Sequence, residues 1–108
     1  MILMTKAKFF ERDGAVYGFL IEGHSTKTAS DGEGRALCAA VSSAAYMAAN
    51  TVTEVIGDSA ESEVSDGKML FCVSKPSEST VKVLGGLKLH LSELSKQYGK
   101  RLIIITEV

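Results

Sequence analysis

"RALCAAVSSAAYMAANTVTEVI", residues 35–56, runs without glycine or proline and stops at Gly57. Alanine and serine dominate it, and a glycine at its end is a natural left-handed cap, so this stretch is predicted to be a helix. With so few large side chains it lets a sheet or a second helix come close, and its surface is expected to be covered on more than one side. Fixing this helix divides the rest of the chain. On its N-terminal side lie two apolar runs, from Ile2 to Arg12 and "DGAVYGFLIEG" (13–23), joined at Asp13-Gly14 as a hairpin. On its C-terminal side "ESEVSDGKMLFCVSK" (61–75) repeats the hairpin around Asp66-Gly67, with Lys68 to Val73 expected to be a substantially buried strand.

Pro76 breaks the chain, and Val83, Leu84, Leu87, Leu91, Leu94 and Tyr98 then recur at helical spacing. A second helix is predicted from Ser77 to Tyr98, with Gly99 ending it. Gly85-Gly86 inside it costs roughly 1 kcal/mol per glycine relative to alanine, so either a close backbone contact or a later helix start is expected. "RLIIITEV" (101–108) closes the chain as a β-branched strand. The order strand, strand, helix, strand, strand, helix, strand predicts an α+β fold, two helices packed on a mixed or antiparallel sheet.

Composition narrows the function. A chain of 108 residues, 45% hydrophobic, fits one domain spanning 1–108. Its net charge of −1 lacks the electrostatic footprint of a phosphate-backbone binder, so no direct nucleic-acid partner is expected. No segment approaches the length of a membrane span and no secretory leader is evident, which predicts no membrane partner and a cytoplasmic chain. Two cysteines, Cys38 and Cys72, are too few and too irregularly placed for a disulfide framework. Cys72 alternates within an apolar strand and reads as a buried packing residue, and His90 reads as a helix-face histidine at the edge of the core. The spacings of His24, Cys38, Cys72 and His90 match no compact ligand set, so neither a metal nor another cofactor is expected. Lys96, Lys100 and Arg101 near the end of the second helix complement its dipole.

The chemistry concentrates in "GHSTKTASDGEGRALCAAVSS", residues 23–43. His24 follows a strand, a polar loop follows His24, and Cys38 falls in or near the first turn of the helix, where unpaired N–H groups favour a thiolate. A thiol of ordinary pKa near ~8.5 is only about 3% ionised at neutral pH. Lowering that pKa to about 7 takes roughly 2 kcal/mol, and a helix terminus supplies about 0.3–1 kcal/mol. A neighbouring imidazolium would supply the rest, and the same histidine would then protonate a leaving amine. The bland alternative is a cysteine acting as a small buried hydrophobe. Ser42, one turn after Cys38, either faces a substrate or bonds its own helix backbone.

The pair Gly23-His24 after a strand, with Cys38-Ala39-Ala40-Val41-Ser42 opening a helix, resembles the ribosomal-processing cysteine proteases of bacteria, the Prp family. The tail "GGLKLHLSELSKQYGKRLIIITEV", Gly85 to Val108, is similar to that family's terminal helix and strand. The resemblance implies that Cys38 is the nucleophile and His24 its base, with Ser42 near the site and Gly23 preceding the histidine. It also implies a homodimer, and a substrate that is the N-terminal extension of a large-subunit ribosomal protein. Members usually carry an acidic residue three positions before the cysteine, where this chain has Arg35; Asp31 or Glu33 would have to replace it, unless each is simply a helix cap or first-turn carboxylate. A flexible loop closing over an extended peptide paired to a sheet edge would complete such a site. The rival from another class is a non-catalytic, ribosome-associated binding module in which Cys38 merely packs.

Overall fold

A computed structural model describes residues 4–24 and 31–108. Two strands, β1 (Thr5–Arg12) and β2 (Ala15–Gly23), form the first hairpin around Asp13-Gly14. Both turn residues have positive φ, at 53° and 80°, which matches the right-handed twist of the strands they join. The helix α1 (Gly32–Asn50) runs on through a π-helical turn, Thr51–Ile56, and closes where the Gly57 N–H donates to the Val52 carbonyl. Strands β3 (Glu61–Ser65) and β4 (Lys68–Cys72) make the second hairpin, and α2 (Glu78–Tyr98) leads through a short 3₁₀ turn into β5 (Leu102–Glu107). The sheet order is β3-β4-β2-β1-β5, with β5 parallel to β1 and every other neighbour antiparallel. This is the α+β arrangement with a mixed sheet that the element order predicted.

Alternation along the strands decides where the core lies. Phe9, Phe19 and Phe71 face each other across three neighbouring strands, with ring centroids 6.3 Å and 5.5 Å apart, and all three are buried. Against this row pack Leu37, Val41 and Ala45 of α1 and Leu84, Leu87 and Leu91 of α2, in one continuous cluster. The strand Lys68–Val73 is therefore buried on alternate residues, Met69, Phe71 and Val73, rather than throughout. Cys72, on the other parity, is half-buried, with its sulfur over Gly18, where a Cβ would come within 2.9 Å of it.

Three further expectations change with the structure. The helix α1 is covered along one stripe only, Leu37, Val41, Ala45 and Ala48, while Met47 stays 64% exposed. Alanine carries almost no penalty at a helix surface, so an alanine-rich helix does not need burial on two sides. Gly85 and Gly86 lie inside α2 with open space where a Cβ would stand, so neither a close contact nor a later start accounts for them. His90 is exposed rather than at the edge of the core.

Asp58 ties the end of the first helical segment to the start of α2. Its Oδ2 accepts from the Ser77 N–H at 2.8 Å and from the Thr80 hydroxyl at 2.6 Å, and Thr80 is fully buried. The Thr80 hydroxyl first, and the Ser77 groups second, hold the Asp58 carboxyl below its ordinary value. A carboxylate depressed on folding stabilises the native state above about pH 4 and loses that contribution as pH falls through its folded value. Asp58→Asn is therefore expected to lower the urea midpoint at pH 7, with the gap to the parent chain closing on acidification below about pH 4. An equal gap at pH 7 and pH 3 would contradict this role.

Candidate active site

The end of β2 is set by backbone contacts. Gly23 has φ +97°, its N–H donates to the Gly67 carbonyl at 2.9 Å, and a Cβ there would stand 2.5 Å from the Met4 carbonyl oxygen. Only glycine fits, and the bond to Gly67 delivers the next residue, His24, beside the turn between β3 and β4. The imidazole is half-exposed, with Nε2 3.8 Å from Asp66 Oδ1.

The opposing element is α1. Asp31 is its N-cap, and Oδ1 accepts from the Gly34 N–H at 3.1 Å. Asp31 Oδ2 also pairs with Arg101 Nη2, while Arg101 Nη1 lies 3.5 Å from Glu33. The Gly34 N–H and then the Arg101 guanidinium hold the Asp31 carboxyl below its usual value. Arg101 thus serves the start of α1 rather than the end of α2, and Asp31 is engaged in capping. Cys38 follows the cap by about two turns, ~10 Å at ~1.5 Å per residue, and so stands near the first turn rather than in it. The dipole's effect fades within the first turn, so the helix terminus contributes little at the sulfur.

His24 and Cys38 line one cleft of about 330 Å³. Cys38 and Ser42 come from α1, Gly23 and His24 from the end of β2, and Asp66 and Gly67 from the β3–β4 turn. Cys38 is half-buried, not sealed under the core. Among the described residues no hydrogen bond joins the imidazole to the thiol, and none engages the Ser42 hydroxyl, which is exposed at the cleft rather than bonded to its own helix. Arg35 is exposed and does not line the cleft, and Asp31 lies outside it too. The residues that sequence reasoning missed are Asp66 and Gly67, read there only as a turn. Residues 25–30, on which a closing loop was expected, lie outside the described residues.

A thiol and an imidazole lining one open cleft are groups that acyl transfer through a covalent thioester can use. Among the described residues no three His, Cys, Asp or Glu side chains converge as a metal site, and no helix is long and apolar enough to cross a membrane.

Comparison with known proteins bears on this arrangement. The family model described as cysteine protease Prp matches residues 4–103. No curated protein sequence matches the chain significantly. Among solved structures, a ribosomal processing protease Prp from S. aureus with a covalently linked product peptide superposes at a TM-score of 0.82 and 14% identity, covering 96% of this chain and 100% of that one. The same protease with a substrate peptide gives 0.85 at 13% identity, again covering 96% and 100%. A protein from Streptococcus mutans gives 0.79 at 18% identity, covering 96% and 99%. At such identities these likenesses establish a shared fold.

Proposed function

This chain belongs to the cysteine protease Prp family, and on that premise we propose that it cleaves its peptide substrate with Cys38 as nucleophile and His24 as general base. The observation that carries the reading is that these two side chains, from separate elements, line the same cleft. In this reading the Cys38 thiol gives its proton to the imidazole, and Sγ attacks the scissile carbonyl carbon. The imidazolium then protonates the leaving amine as the C–N bond breaks, which leaves a thioester on Cys38. Water attacks the thioester with the imidazole taking its proton, the C–S bond breaks, and the acid product departs. Ser42 and Gly23 support the site, the first with a hydroxyl at the cleft and the second by setting the chain that carries His24. Asp31 acts at one remove, by fixing where α1 begins.

The substrate is the N-terminal extension of a large-subunit ribosomal protein, taken up as an extended segment, and the partner in assembly is a second copy of the chain, in the cytoplasm. Support for a peptide substrate comes from the S. aureus relative, which holds a substrate peptide in one structure and a covalently linked product in another. The trough between α1 and the second hairpin has an apolar floor, including Val41 and Met69, that suits an extended chain.

Alkylation separates this reading from a binding module. Burial, and then the Glu61 carboxylate, push the Cys72 thiol up, so Cys72 serves as an internal slow standard. Iodoacetamide is expected to label Cys38 at pH 6 about tenfold faster than Cys72, and His24→Ala should remove most of that advantage. Equal rates at the two cysteines, indifferent to His24→Ala, would favour the binding module.

A further inference from the structure

We propose that the β3–β4 turn is the element that positions the His24 imidazole: Asp66 holds Nε2–H and Gly67 supports the ring, so that Nδ1 is the nitrogen that exchanges a proton with Cys38. The inference rests on the reading of His24 as the base.

Gly67 has φ +73°, and a Cβ built there would stand 2.6 Å from His24 Nε2, 3.2 Å from Cδ2 and 3.3 Å from Cε1. Those three atoms are the far edge of the ring, so that edge faces the open side of Gly67 and Nδ1 is not the nitrogen nearest that position. Any side chain at Gly67 would displace the ring. Asp66 Oδ1 lies 3.8 Å from the same Nε2, beyond a hydrogen bond but closable by rotation of an exposed carboxylate; catalytic hydrogen bonds commonly tighten once substrate binds. The Gly23 N–H to Gly67 carbonyl bond, 2.9 Å, fixes the turn to the residue before His24, so the support and the supported ring move together. Among the described residues the other charged side chain lining the cleft is Lys68, and Glu63 holds it at 3.4 Å.

The proton balance follows. Nδ1 takes the Sγ proton as the thiolate forms, Nε2 keeps its own proton and donates a hydrogen bond through it to the Asp66 carboxylate, and the Nδ1 proton later passes to the leaving amine. A carboxylate on Nε2 fixes the useful tautomer, which leaves Nδ1 to take the thiol proton. Asp66 acts through His24, as a positioning residue.

The test compares the full chain with Gly67→Ala, Asp66→Asn and Asp66→Glu in cleavage of a peptide bearing the ribosomal-protein extension. Gly14→Ala is the control, because Gly14 shares the left-handed backbone at φ +80° but has nothing within 4 Å of its Cβ position. Gly67→Ala is expected to lose about 30-fold or more in kcat/KM, since a displacement of ~1 Å at a catalytic group costs up to about 100-fold. Gly14→Ala should stay within roughly twofold at a similar thermal stability. Asp66→Asn leaves folding untouched, because the side chain is 99% exposed. It should lower kcat about two- to fivefold with KM unchanged, with Asp66→Glu restoring kcat. A parental kcat in Asp66→Asn, or Gly67→Ala no slower than Gly14→Ala, overturns the proposal while Cys38→Ala and His24→Ala remain inactive. Activity surviving in His24→Ala would overturn it together with the dyad, which keeps the two failures distinct.

Discussion

Cys38→Ala is expected to lower cleavage of the ribosomal-protein extension by more than about 10³-fold, about 4 kcal/mol of transition-state stabilisation, without a comparable loss of stability. The size follows from the chemistry. No other described nucleophile in the cleft matches a thiol at neutral pH: Ser42 offers a hydroxyl with no described base bonded to it, and water would have to attack an amide directly. The separation from stability follows from burial. Cys38 is half-buried at the edge of α1, so removing its sulfur opens no sealed cavity, and the cost should stay near about 1 kcal/mol or less. Cys72→Ala provides the contrast. Cys72 lies on β4 with its sulfur over Gly18 of β2, away from the cleft lining, so cleavage should persist within roughly twofold. Cleavage measured by mass spectrometry, beside thermal unfolding of both variants, checks the pair. Full activity in Cys38→Ala would remove the nucleophile from the proposed mechanism.

The cleft also shows which parts of the site the sequence could carry. His24 and Cys38 stood out because each follows a local signal, a strand end and a small-residue helix, and local signals survive folding. Where α1 begins, at Asp31 or at Gly34, was not legible, because Gly32 and Gly34 have the composition of a loop. The Asp31 cap and its pair with Arg101, remote in sequence, make them the first turn of α1. Asp66-Gly67 was legible as a turn but not as a wall of the site. Its place beside His24 depends on β4 pairing with β2, Glu22 opposite Lys68, and that pairing is a non-local choice that no window of residues encodes. The same limit applies to the sheet order, since alternation predicts which face a strand buries but not which neighbour it takes.

The helix that presents Cys38 is held to the sheet by few large side chains, and this makes Leu37 the second place where a single change should have a large effect. Leu37 is fully buried, and the remaining buried positions of α1 are glycine, valine and alanine, which cannot grow to fill a gap. Leu37→Ala is expected to cost about 2–5 kcal/mol, the transfer of the lost methyl groups plus a cavity that the alanine-rich surface does not close. For a domain of this size that is a fall in Tm of roughly 10–20 °C. Activity should fall as well, although Leu37 does not line the cleft, because its side chain fixes how α1 rolls on the sheet and so how far Sγ stands from the imidazole. Leu37→Met, which nearly conserves volume, should lose less than about 1.5 kcal/mol and keep most of the cleavage rate. If Leu37→Ala unfolded within a degree or two of the parent chain, the stripe along α1 would not be what anchors the helix. The distance between sulfur and imidazole would then have to be set from the strand side alone.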